Sequence, residues 1–167
     1  MKMQHYIRYS IATVVLLILQ TTMIPFASIA NIVPDILIVW IVYVAIKLGQ
    51  IPATVAGFVI GIAIDLVSGH FIGLSALSKT VAGFFAGYFY NENKIDYTIG
   101  NYQFLIIVGL SSLFHNIIYF VIFVQGSEIS FWTAIFRFGL FSTIYTVAFA
   151  VLPMLVFSRK IAQGSAL

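Results

Sequence analysis

The stretch that decides the fold is Ala53–Gly87, ATVAGFVIGIAIDLVSGHFIGLSALSKTVAGFFAG. Its first half carries a small or special residue at every fourth position, Ala53, Gly57, Gly61, Asp65 and Gly69. Its second half repeats the spacing at Ser75, Lys79, Gly83 and Gly87. Residues four apart share one helix face. Small residues on such a face let two backbones approach closely, as in the GxxxG arrangement of membrane helices. The stretch therefore predicts two apolar helices, about 53–68 and 74–90, packed as an antiparallel hairpin along Gly57, Gly61, Gly69, Gly83 and Gly87. Partners at equal depth in such a hairpin have numbers of constant sum, about 144 for a turn near position 72. That register opposes Gly57 to Gly87, Gly61 to Gly83, and Asp65 to Lys79. A charge in mid-membrane costs about 2.5–3.5 kcal/mol on insertion scales, so two at matching depth predict an ion pair, Asp65 with Lys79.

The rest of the chain extends the pattern. Of 167 residues, 62% are hydrophobic and 8% charged, with mean hydropathy +1.09. That leaves too little polar surface to coat a water-soluble globule. Further apolar stretches at about 7–24, 33–48, 102–124 and 131–157 bring the total to six, so the fold class is an all-α, polytopic bundle of six transmembrane helices in one domain, 1–167. The first is read as an uncleaved helix, because it is longer than a signal-peptide core and further spans follow. Pro34-Asp35 opens the second, with proline suited to the first turn and a carboxylate facing the positive end of the helix dipole. This second span is short, and it is expected to thin the bilayer or to be covered by another helix, such as a partner's single transmembrane segment.

Charge placement gives the orientation. Lys2, Arg8, Lys47, Lys94, Arg159 and Lys160 fall on one side, and the opposite connections hold no lysine or arginine. The basic side is cytoplasmic, so both termini are expected inside, in a cytoplasmic membrane. The net charge of +3 comes from basic residues scattered singly, which argues against nucleic acid as a partner. The absence of cysteine removes disulfides and thiolate chemistry.

Two more polar features lie within spans. Arg137 stands about six residues into the last one, and with Asp35, Asp65 and Lys79 it forms a predicted outer polar network whose charges cancel. Such a network either holds helices in register or lines a cavity for a small polar ligand, and the possible partner for every charge favours the first. His115 and Asn116 stand deep in the fifth span. An interhelical hydrogen bond is the expected role, since a proton relay would need a second central acid. The sequence carries no HExxH zinc helix, GxSxG elbow or GxxxxGK[ST] loop, and His5, His70 and His115 lie at different depths. No enzyme activity, metal or cofactor is expected.

Pro34-Asp35, then Gly57-Phe58, Gly61, Asp65, Ser68-Gly69, Gly73 and Ala76, in this order and spacing, resemble the bacterial rod-shape-determining protein MreD family. The motif-like part covers about Pro34 to Gly87, and the rest matches in topology and size. The resemblance implies a non-enzymatic scaffold of the cell-elongation machinery in the bacterial inner membrane. Its implied partners are the MreC-like scaffold protein and, through it, MreB and the peptidoglycan synthases. It also implies a bundle similar to the S components of energy-coupling-factor transporters. The alternative is a solute-binding membrane subunit of a vitamin-type transporter. The bulky residues of the first span, from Ile11 to Leu19, argue against the docking mode of such subunits.

Overall fold

The computed structural model describes residues 2–29, 32–69, 71–126 and 130–164, and these are helical almost throughout. His70 lies outside the described residues. The elements are α1 (Lys2–Thr22), α2 (Ile36–Leu48), α3 (Gln50–Ser68), α4 (Leu74–Gly87), the short α5 (Ile95–Ile99), α6 (Tyr102–Phe123), the single turn α7 (Phe131–Thr133) and α8 (Leu140–Gly164). A π-helical segment, Ala134–Gly139, joins α7 to α8 so that the three run on as one rod. Among the described residues, three helical stretches are long and apolar enough to cross a membrane: Gln50–Ser68, Tyr102–Phe123 and Phe131–Arg159.

Helix α2 is the centre of the molecule. Its 13 residues, ILIVWIVYVAIKL, are apolar on every face until Lys47, and Leu37, Ile38, Ile41, Val42 and Ala45 are wholly buried. Helices α1, α3, α4, α6 and α8 all pack on it. The chain thus supplies most of the cover expected for this short span with its own helices, and one face, Ile36, Trp40 and Tyr43, stays half-buried. The apolar residues that remain exposed lie around the periphery, for example Ile11 on α1, Val55 on α3, Ile106 on α6 and Ile144 on α8.

The α3–α4 hairpin is the most extensively packed pair of helices. Its glycines act as the spacing predicts, but in another register. A Cβ on Gly61 would stand 2.6 Å from the Ser75 carbonyl oxygen, and one on Gly83 would stand 2.5 Å from that of Ala53. Gly57 meets the backbone of Lys79 and Thr80, and Gly87 meets Gln50. Each pairing is displaced from the predicted one by about seven residues, two helical turns, which preserves the face and changes the depth. Gly69 is the exception among the predicted packing glycines. Nothing lies within 4 Å of its Cβ position; it ends α3 in the left-handed conformation at φ +66°.

The displacement has a local cause. Helix α4 starts at Gly73, which has φ +101° and no side chain to cap the helix. The Asp65 carboxylate, one turn before the end of α3, takes that place. It accepts from Gly73 N at 2.8 Å, Ser75 N at 3.0 Å and Ala76 N at 3.2 Å. Free N–H groups at a helix start attract an anion. The start of α4 is thereby drawn back alongside the last turns of α3 rather than set beyond them.

Candidate functional site

Asp35, Lys79 and His115 come together at the first turn of α2. Asp35 is its N-cap: Oδ1 accepts from Leu37 N at 3.0 Å and Ile38 N at 3.1 Å. The other oxygen, Oδ2, accepts from Lys79 Nζ, which reaches across from α4. His115 Nε2 on α6 stands 3.6 Å from the same oxygen. The Asp35 backbone N–H donates to Thr146 Oγ1 on α8 at 2.9 Å. One residue thus joins α2, α4, α6 and α8.

Lys79 is 2% exposed and Asp65 1%, so their partners decide whether the interior holds an uncompensated charge. The ion pair predicted between them is not formed. Lys79 pairs with Asp35, and Asp65 is spent on the amides of α4. The reason is the two-turn displacement of the hairpin, which takes Asp65 and Lys79 to different depths. Arg137 is also not part of the cluster. It lies exposed in the π-helical segment with its guanidinium 5.9 Å from the Phe138 ring centre, and it forms no ion pair among the described residues.

His115 does have an acid beside it, contrary to the expectation that none is available. That acid, Asp35, enters from a helix start that the sequence placed near the membrane surface. Asn116 makes the interhelical bond expected of it, with Nδ2 donating to Gly139 O at 3.1 Å and to Thr143 Oγ1 at 3.0 Å. The carbonyl of Gly139 ends the π-helical segment, so Asn116 ties α6 to the beginning of α8.

Sequence reasoning missed the residues that hold the α2 start inside the bundle. The backbone before α2 is not helical, and Pro34 is buried there. Gln20 of α1 clamps it from both sides, with Nε2 donating to Pro34 O at 3.1 Å and Oε1 accepting from Ile36 N at 2.9 Å. Ser142 Oγ donates to Val33 O at 3.3 Å. An unwound segment among membrane helices needs such partners, because lipid supplies none. A lone glutamine in an apolar span, one turn before a predicted loop, is the signal that marks this clamp.

The alternative reading expects a ligand cavity at this cluster, and there the carboxylates are engaged by Lys79 and by backbone amides. A crevice of about 680 Å³ lies elsewhere, between α1, α2 and α8, and its lining is mostly apolar and aromatic.

The family model described as rod shape-determining protein MreD matches residues 2–161, nearly the whole chain. No curated protein and no solved structure matches it.

Proposed function

The chain belongs to the MreD family, a membrane family of rod-shape determination, and from that premise we propose that it is a non-enzymatic scaffold of the bacterial cell-elongation machinery. It binds an MreC-like protein and so helps to couple MreB filaments to the peptidoglycan synthases. It crosses the inner membrane six times as a single domain, with both termini cytoplasmic, in a bundle similar to that of the transporter S components. The observation that carries the reading is the family match from residue 2 to residue 161.

The interior supports a structural use of its charges. Asp35 caps α2 and neutralises Lys79, while Asp65 caps α4. These acids and this lysine hold helices in place, which is what a scaffold asks of them. Partners would meet the outer faces of the peripheral helices, since most of α2 is covered by them. A pull-down from detergent-solubilised membranes tests the proposal. Recovery of an MreC-like protein or of cell-wall synthases is the expected result, and recovery of ATPase subunits in their place would overturn it.

A further inference from the structure

Helices α1 and α8 both lie on α2 without packing closely on each other, and the crevice of about 680 Å³ fills the gap. Its floor is buried, formed by Val39 of α2 and Phe104 of α6, while its rim, Arg8 and Leu152, is exposed. It therefore opens on the outer surface of the bundle. The volume is in the range of about 300–1,000 Å³ typical of sites for small molecules.

The crevice has two chemically different ends. At one end stand Arg8 near the start of α1, Tyr43 near the end of α2 and Phe157 late in α8; at the other stand Leu16, Ile36 and Phe149. Arg8 to Leu16 spans about 12 Å at helical rise. That is close to the half-thickness of a bilayer's hydrocarbon core, about 15 Å. Trp40 stacks on Tyr43 with ring centres 5.3 Å apart and stands 5.8 Å from Tyr9, forming an aromatic wall near the charged end.

Arg8 forms no ion pair among the described residues. The other cation at this end of α2, Lys47, is taken by Asp96 at 2.7 Å. An unpaired guanidinium at the mouth of an apolar slot one leaflet deep is complementary to a molecule with a phosphate head and a hydrocarbon chain. We propose that the α1–α2–α8 crevice binds an anionic phospholipid of the leaflet facing the N-terminal end of α1. One acyl chain lies along Trp40, and the phosphate pairs with Arg8. A partner's transmembrane helix would fill the same slot without needing the charge.

The test uses Trp40 as reporter. The chain has two tryptophans, so Trp132→Phe leaves Trp40 alone. The full-length protein is reconstituted in phosphatidylcholine vesicles containing graded amounts of phosphatidylglycerol with brominated acyl chains. A reciprocal series carries the bromine on phosphatidylcholine. Brominated phosphatidylglycerol should quench Trp40 at a several-fold lower mole fraction than brominated phosphatidylcholine does. Arg8→Gln, a change at an exposed position, should bring the two curves together with the helical circular dichroism unchanged. Coincident curves for the native residue, a preference that survives Arg8→Gln, or no quenching by either lipid would each overturn the proposal. A photo-crosslinking amino acid at Leu152 separates the occupants in cells. Capture of phospholipid supports the site, and capture of a polypeptide at that position overturns it.

Discussion

Lys79 shows how an interior charge is placed in this molecule. A buried pair is costly to break from one side, about 3–5 kcal/mol, because the remaining charge is left without compensation. Lys79→Met is therefore expected to lower the thermal midpoint in detergent by a large margin. Adding Asp35→Asn should recover most of the loss, because asparagine keeps the cap on Leu37 and Ile38 while removing the stranded charge. Adding Asp65→Asn to Lys79→Met should recover nothing and should cost more, since the amides of α4 lose their carboxylate. Thermal unfolding followed by intrinsic fluorescence ranks the three variants, and rescue by Asp65→Asn would contradict the geometry. The sequence showed that Asp65 and Lys79 are expensive and need partners. It did not show which partners, because Asp35 lies 44 positions from Lys79 and the equal-depth rule assumed a symmetric turn. The bonds from Asp65 to Gly73, Ser75 and Ala76 break that symmetry.

At the scale of elements, α2 is both the shortest of the main helices and the most enclosed. Thirteen residues rise about 20 Å, well under the hydrocarbon core of about 30 Å. The start of α2 therefore lies within the bundle and must have its backbone satisfied by side chains. Gln20 supplies two of those bonds. Gln20→Leu should cost about 1–3 kcal/mol for the backbone groups left unpaired. Gln20→Glu should cost less, because a carboxylate still accepts from Ile36 N while losing the donor to Pro34 O. Hydrogen exchange at the Ile36 amide is the local readout, and protection unchanged in Gln20→Leu would show that the clamp is unimportant. The glycine face of the hairpin was legible from fourfold spacing alone, because close approach of two backbones tolerates little else. The central position of α2 had a signal too: a run without a polar face, too short to span, calls for cover on all sides. Most of that cover comes from the chain itself, and only the assembled helices reveal it and the crevice left along Ile36, Trp40 and Tyr43.

For the whole molecule, the proposed six crossings and the enclosed α2 and α4 set a topology that chemistry can read directly. Helix α4 has 14 residues, also near 20 Å, and starts on the amides held by Asp65, one turn before the end of α3. The α3–α4 connection should then lie on the side opposite Lys47, Lys94 and Arg159, together with the α6–α7 connection. The chain has no cysteine, so single cysteines report position without background. Phe71→Cys and Ser130→Cys should react in intact cells with a maleimide that cannot cross the membrane. Glu92→Cys, two residues before Lys94 and exposed, should react only after the cells are opened. Labelling of Glu92→Cys in intact cells would invert the orientation and place Arg8 and the mouth of the lipid crevice in the outer leaflet. Labelling of Phe71→Cys and Glu92→Cys from the same side would mean that α4 does not cross, and the six-span reading would fall with it.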